Sequence, residues 1–315
     1  MALPALSALT VIVGLGVLLY ASDIAVNRAR KVAFKLGVSE LLIGLTVISI
    51  GTSLPEIFLN LTAGFVRLQG LESSGIAIGN VIGSCLSQIT IILGLVGLVT
   101  TLSVSKRSLK RDGIMLLAAI MLMYVSALDG EISRLDGAIL VFIYALYLFG
   151  LSHEEKLNGD TRAKEGESHI PDVIVLTAAL LAVVLSSTVV VREGLNLAAM
   201  IGVSPFIIGL LAGVGTSLPE LSISLGAVSK GAKSLSFGNL IGSNITDPLL
   251  SIGLGAGVAG FLVDIASIGF DFGFWVFSTL LALLFLWSGR RLDRREGSFL
   301  IILFLGYVYL KIHSL

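Results

Sequence analysis

The sequence predicts an all-α membrane protein with ten transmembrane helices, built as two inverted five-helix repeats with discontinuous core helices. Three observations carry this. Apolar residues fill 55% of the 315 positions and charged residues only 13%, with a mean hydropathy of +0.99; a soluble domain carries about 25% charged residues. The hexapeptide Gly-Thr-Ser-Leu-Pro-Glu occurs twice, at residues 51–56 and 215–220, each time inside a long apolar stretch. Finally, the basic residues fall almost entirely into alternate loops.

Stretches able to span a bilayer need about 20 mostly apolar residues. They fit at 4–22, 38–66, 75–102, 113–128, 135–152, 172–191, 198–229, 235–263, 266–289 and 298–313. The first has no basic segment before it and no small-residue cleavage pattern after it, so it reads as a retained helix rather than a signal peptide. The second and seventh hold Pro55 and Pro219 in their interiors. Proline removes a backbone donor and clashes with the preceding turn, so each of these spans is expected as two half-helices.

With the N-terminus outside, every lysine and arginine except Arg67, Arg134, Arg192 and Lys311 falls in an inward-facing loop. Removing or adding one span would scramble this positive-inside bias. The expectation is therefore a multi-pass cell-membrane protein with both termini extracellular and the central loop cytoplasmic. That loop, 152–170, is the one sizeable hydrophilic segment and reads as a flexible linker between a first half, 1–151, and a second, 171–315.

The two halves match beyond the hexapeptide. Gly37-Val38-Ser39 pairs with Gly202-Val203-Ser204, and Ile43-Gly44 with Ile208-Gly209. Downstream, Gly79-Asn80-Val81-Ile82-Gly83-Ser84 pairs with Gly238-Asn239-Leu240-Ile241-Gly242-Ser243. Five spans per half is an odd number, so the second half enters from the opposite side. Inverted repeats with interrupted helices at the midplane are a secondary-transporter architecture.

Several classes of function drop out. A net charge of zero argues against nucleic acid as a partner. The single cysteine, Cys85, forbids an internal disulfide. His153, His169 and His313 fall in expected loops or at the C-terminus, which argues against a histidine proton relay or zinc site. No cofactor is expected, and the chain is expected to act as a monomer in the bilayer.

A carboxylate in hydrocarbon is costly unless a cation or proton satisfies it, so Glu56 and Glu220 default to a functional reading. Pro55 should free the carbonyl of Gly51 and let those of Ser49, Ile50 and Thr52 splay toward a cavity, where a cation can satisfy them. Thr52, Ser53, Thr216 and Ser217 add hydroxyls. Such an all-oxygen set suits hard cations such as Ca²⁺ or Na⁺. The repeated glycines are expected to let helix backbones approach closely, with Ser84 and Ser243 on that face. Gln88 and Asp247 follow one helical turn later on the same face. Glu56, Glu220 and Asp247 are then the ionisable groups left at membrane depth, with no lysine or arginine beside them. One Ca²⁺ would neutralise both glutamates and three Na⁺ all three acids.

These hexapeptides and their Gly-Asn-x-Ile-Gly-Ser followers resemble the α-repeats of the calcium/cation antiporter superfamily, in its prokaryotic Na⁺/Ca²⁺ exchanger branch. The resemblance implies alternating-access antiport of Na⁺ against Ca²⁺, usually three for one, with Ca²⁺ extruded and both ions as substrates. It implies Ca²⁺ ligation by Glu56 and Glu220 with the backbone carbonyls of Thr52 and Thr216. It also implies sodium sites using Ser53, Ser84, Ser217, Ser243, Gln88 and Asp247. Two departures stand out. Gln88 replaces a usual asparagine, and the segment before Gly215 is one residue shorter than that before Gly51, a helix phase shift of about 100° that puts the Gly213 carbonyl in doubt as a ligand.

The proton-coupled branch of the superfamily typically has Gly-Asn where this chain has Gly51-Thr52 and Gly215-Thr216, and ranks second. Potassium-dependent exchangers also carry an aspartate at the position of Asp247, which leaves K⁺ participation open. An intramembrane hydrolase has no Gly-x-Gly-Asp or Asp-rich motif to rest on. A channel would differ by flux without counter-ion dependence.

Overall fold

The computed structural model describes residues 2–158, 170–200 and 215–313. The expected matches at Gly202-Val203-Ser204, Ile208-Gly209 and Gly213 lie outside the described residues, as do His169 and the middle of the linker.

Helix α1 runs over Ala2–Leu36. It ends where Gly37, at φ 66°, takes a left-handed conformation. There the Gly37 and Val38 N–H groups turn back to the carbonyls of Phe34 and Ala33, a common helix stop. The basic residues Arg28, Arg30, Lys31 and Lys35 therefore lie on the last turns of α1, not in a loop. Buried Ala25, Val26, Ala29, Val32 and Ala33 keep the helical period going through this basic segment.

The first interrupted span begins with α2 (Glu40–Ile43), capped by Ser39, whose Oγ accepts from the Leu42 N–H at 3.1 Å. A π-helical turn (Gly44–Ile48) and α3 (Ser49–Thr52) follow, and α4 (Leu54–Leu68) leaves at a 48° bend. The break falls at Ser53, so Pro55 occupies the first turn of a new helix, where its missing N–H costs little. Next come α5 (Ser74–Ser87), a π-helical turn (Gln88–Ile92) and α6 (Leu93–Val99). Strand β1 (Leu102–Ser103), α7 (Lys106–Ala127), β2 (Glu131–Ile132) and α8 (Arg134–Asn158) complete the half. α8 stays helical past Ser152, so His153 lies on a helix rather than in a loop.

The second half has α9 (Ile170–Met200), α10 (Leu218–Ser229) and α11 (Lys233–Thr246). A π-helical turn (Asp247–Ser251) leads to α12 (Ile252–Ala259), β3 (Phe261–Leu262), α13 (Ile265–Gly289), β4 (Arg291–Leu292) and α14 (Arg294–His313). The π turns open at Gln88 and Asp247, the two positions aligned by the repeat. The strands cross between halves: β1 pairs antiparallel with β4, and β2 with β3. The first sheet sits beside the N-terminal end of α7 and the second beside its C-terminal end. Its 22 residues separate them by about 33 Å.

Among the described residues, five helices are long and apolar enough to cross a membrane, or six if the bent pair Glu40–Thr52 and Leu54–Leu68 is one span. That is fewer than the ten expected. α11 explains part of the shortfall: it is buried from Leu235 to its end and spends its positions there on Ser236, Asn239, Ser243, Asn244 and Thr246. A helix that faces protein on all sides needs no lipid-grade hydropathy. The lipid-facing helices look different. On α8, Leu135, Ile139, Phe142, Leu146 and Phe149 form one exposed apolar stripe at helical spacing, a surface that water would disfavour.

Small residues set a close crossing beside the interrupted span. A Cβ on Gly44 would meet Leu235 O at 2.6 Å, and one on Gly238 would meet Leu41 O at 2.7 Å. A Cβ on Gly242 would meet the Ser49 side chain at 2.7 Å. α11 thus lies directly against the first interrupted span. Gly79 and Gly83 have no such neighbour among the described residues.

Candidate functional site

The two hexapeptides take the same local shape. Ser53 (φ −79°, ψ 6°) precedes α4 and Ser217 (φ −89°, ψ 11°) precedes α10, each with proline in the first turn. Glu56 and Glu220 are the third residues of those helices. Each carboxyl faces its own backbone N–H, at the positive end of the helix dipole.

Ser-x-x-Glu at a helix start is also the spelling of a capping box, in which serine and glutamate satisfy each other's backbone N–H groups. Neither Ser53 nor Ser217 makes a side-chain cap. Elsewhere in the chain the same spacing does close. Asp293 Oδ1 accepts from the Glu296 N–H at 3.0 Å and Glu296 Oε2 from the Asp293 N–H at 2.9 Å. Ser133 and Asp136 do likewise at the start of α8. At the hexapeptides the oxygens turn inward instead.

They turn toward each other's repeat. The Thr216 hydroxyl lies beside the Glu56 carboxyl, while those of Thr52 and Ser243 lie beside Glu220. None of these contacts has hydrogen-bond geometry, since both carboxyl oxygens of each glutamate lack a partner. Asn239 ties the two segments together. Its Oδ1 accepts from Thr52 Oγ1 at 3.1 Å, and its Nδ2 donates to Glu220 O at 3.2 Å and Ser224 Oγ at 2.9 Å. Thr52 also lies 3.4 Å from Ser243 Oγ.

Asp247 gathers the residues contributed by α5. Its Oδ2 accepts from Ser84 Oγ at 3.2 Å and Gln88 Nε2 at 3.4 Å, with Cys85 Sγ at 3.8 Å. The Gln88 Oε1 accepts from Asn244 Nδ2 at 2.8 Å, so the longer side chain spans from α5 to α11. Ser87 Oγ donates to Ser217 Oγ at 3.1 Å, and the Ser53 hydroxyl faces Asp247 outside hydrogen-bond geometry.

All ten residues singled out by sequence are buried except Thr216, which is half-buried. Glu56, Glu220 and Asp247 lie within electrostatic range of one another. None joins an ion pair among the described residues. Six buried oxygens lack hydrogen-bond partners here: both of Glu56, both of Glu220, Asp247 Oδ1 and Ser53 Oγ. Leaving such groups unpaired costs about 1–3 kcal/mol each, which a cation bound among them would offset. Among the described residues no three of His, Cys, Asp and Glu form a compact metal cluster. Any ion here would draw its shell from carboxylates mixed with hydroxyls, amides and carbonyls, as hard cations do.

One expectation is corrected. The Ser49 carbonyl is not freed, because it accepts from the Ser53 N–H at 3.0 Å and Thr52 Oγ1 at 3.3 Å. The sequence reading also passed over Asn239, Asn244 and Ser87 as site residues. Asn80 and Asn239 recur in both halves, and that duplication was the signal available for Asn239. For Asn60, whose Nδ2 donates to Ser251 Oγ at 2.6 Å behind the site, no repeat pattern gave notice.

A multi-pass helical membrane protein that collects unpaired acidic oxygens from two repeated motifs in its interior is an ion transporter by class. The comparisons agree. A family profile described as "Sodium/calcium exchanger protein" matches residues 6–152 and 172–313. The sodium/calcium exchanger MaX1 of Methanosarcina acetivorans is 31% identical over 95% of this chain and 97% of its own. The inner membrane protein YrbG of Escherichia coli is 32% identical over 88% and 87%. A solved structure of the sodium-calcium exchanger NCX_Mj, soaked with Na⁺ and Sr²⁺, superposes with a TM-score of 0.83 at 29% identity, covering 99% of both chains. The chain belongs to the sodium/calcium exchanger family: it is a transporter, not an enzyme, and ions are its substrates rather than cofactors.

Proposed function

We propose that this protein exchanges Na⁺ for Ca²⁺ by alternating access and extrudes Ca²⁺. The ions would share the oxygens of Glu56, Glu220, Thr52, Thr216, Ser53, Ser217, Ser84, Ser243, Gln88 and Asp247. One observation carries this reading: Thr216 of the second motif lies beside Glu56 of the first, and Thr52 of the first beside Glu220 of the second, with every carboxyl oxygen of the two glutamates unpaired. Packing alone gives no reason for a buried acid to be duplicated and left open.

The architecture we propose is ten spans in two inverted five-helix halves, 1–151 and 171–315, joined by a cytoplasmic linker over 152–170, with both termini outside and a monomeric functional unit. Strand pairing supports inversion: β1 and β3 follow equivalent helices in the two halves, yet attach to opposite ends of α7. The alternating charge of the loops supports the sidedness.

Exchange follows from charge. An empty site holds three acids with no basic partner, so switching it across the membrane is unfavourable, while a site neutralised by one Ca²⁺ or by Na⁺ ions can switch. A three-for-one cycle moves one net charge, about 2.3 kcal/mol per 100 mV, so voltage biases the direction. The test is ⁴⁵Ca²⁺ uptake into liposomes carrying the protein. Uptake should require an opposing Na⁺ gradient and disappear in Glu56→Gln and Glu220→Gln. Uptake driven by a pH gradient without Na⁺ would replace this reading with proton coupling.

A further inference from the structure

A cleft of about 700 Å³ opens at the C-terminal end of α1, lined by Arg28, Arg30, Lys31, Phe34, Lys35 and Glu40 with Pro171 and Asp172 of α9. It lies away from the acidic site and shares no residue with it. Arg28, Lys31 and Lys35 are spaced three and four residues apart, so they share one face of α1.

The cleft is not neutral. Asp172 is shared by two cations, with Arg28 Nη1 at 2.6 Å from Oδ1 and Lys35 Nζ at 2.9 Å from Oδ2. Glu40 Oε1 takes Arg30 Nε at 2.6 Å, while Arg30 Nη1 also donates to Lys230 O at 3.2 Å. Lys31 is exposed and has no ion pair among the described residues. Four cations face two carboxylates, which leaves an excess of two positive charges.

The rim is apolar. Phe34 is 59% exposed, and α9 continues from the cleft with Ile170, Ile174, Leu181 and Leu185 exposed along one side at helical spacing. A pocket with surplus positive charge at one end and a lipid-facing helix leading away from it fits an amphiphile with an anionic head. Basic pockets between membrane helices bind such headgroups.

We infer that this cleft holds the headgroup of an anionic glycerophospholipid, its phosphate against Lys31 and the Arg28–Lys35 face, its glycerol against Phe34 and Pro171, and its acyl chains along α9. The charge bias that supports the proposed sidedness puts this lipid in the inner leaflet. The site is independent of which cation drives exchange.

Native mass spectrometry of the full chain, equilibrated with equimolar phosphatidylglycerol and phosphatidylcholine, tests this. The unaltered protein should retain phosphatidylglycerol at least fivefold over phosphatidylcholine. Lys31→Glu should reduce that preference to less than twofold, and Lys31→Gln to an intermediate value, both with unchanged elution and melting. Arg294→Gln, at the start of α14, should keep the full preference. Excess inorganic phosphate should not displace the lipid. Equal retention of both lipids by the unaltered protein, an undiminished preference in both Lys31 variants, or displacement by phosphate alone would overturn the inference.

Discussion

Ser53 and Glu56 stand three residues apart at the head of α4 and make neither of the hydrogen bonds that this spacing ordinarily brings. Asp293 and Glu296, equally spaced at the head of α14, make both. The helix start at Ser53 therefore forgoes a local stabilisation worth about 1 kcal/mol and keeps its oxygens for something else.

This contrast separates a structural serine from a functional one. Ser53→Ala should cost under about 0.5 kcal/mol of stability, whereas Ser133→Ala, which removes a working cap at α8, should cost about 1 kcal/mol. Flux should show the reverse order, with Ser53→Ala lowering Na⁺-driven Ca²⁺ uptake several-fold and Ser133→Ala leaving it near normal. Paired melting and uptake measurements on both variants decide the matter; a Ser53→Ala variant that melts early yet transports normally would mark the serine as a cap after all.

Asn239 is buried and satisfies both motifs at once, through Thr52 on one side and Glu220 O with Ser224 on the other. Replacing it with alanine strands these groups at about 1–3 kcal/mol. Asn239→Ala should raise the Ca²⁺ concentration for half-maximal uptake by at least tenfold, because Thr52 and the α10 backbone lose their common anchor. Asn239→Asp keeps the shape but sets a carboxylate beside Glu220, and should bind Ca²⁺ less well in Na⁺-free medium than the unaltered protein. Isothermal titration on the purified variants gives the comparison.

Much of this arrangement was legible because it is duplicated. Two identical hexapeptides in apolar stretches marked Glu56 and Glu220, and the aligned offsets marked Ser84 with Ser243 and Gln88 with Asp247. What escaped was set by neighbours in space rather than in sequence. The pairing of Asn60 with Ser251 and of Ser87 with Ser217 joins helices far apart in the chain, with no periodic signature. The end of α1 escaped for another reason: hydropathy reports where lipid ends, while the helix ends only where Gly37 permits a left-handed turn. The basic residues lie between those two points. α11 was similarly readable as a span but not as one enclosed from Leu235 onward, since its polar residues mimic an exposed face until their partners are known.

Asp247 makes its hydrogen bonds through Oδ2 alone, and Oδ1 is unpaired. An asparagine there can still accept from Ser84 and Gln88 through its carbonyl oxygen while removing one buried charge. A buried charge with no paired partner carries a desolvation penalty of several kcal/mol, and removing the charge removes that penalty. Asp247→Asn should therefore melt higher than the unaltered protein in Na⁺- and Ca²⁺-free buffer, and this difference should shrink as Na⁺ is added, since bound Na⁺ offsets the charge in the unaltered chain. The same variant should lose the voltage dependence of exchange or change its sign. An unchanged melting curve across the Na⁺ series would mean that Asp247 bears no ion.

Gly44 and Gly238 let α11 press against the first interrupted span, and nothing soft lies between them. A methyl on Gly238 would meet backbone, Leu41 O at 2.7 Å and Leu45 N at 2.9 Å. Relief requires moving one helix away from the other, at about 1–3 kcal/mol for overpacking of this kind. The same shift would pull Asn239, the next residue, away from Thr52, so Gly238→Ala should weaken Ca²⁺ binding along with stability. Gly273→Ala on α13 is the matched control: it has no neighbour within 4 Å among the described residues, and alanine in a helix interior is favoured over glycine by about 0.5–1 kcal/mol. Melting should drop in the first variant and hold or rise in the second, with Ca²⁺ affinity falling only in the first. Equal melting in the two would show that this crossing tolerates a wider spacing, and that the contact between Thr52 and Asn239 does not depend on it.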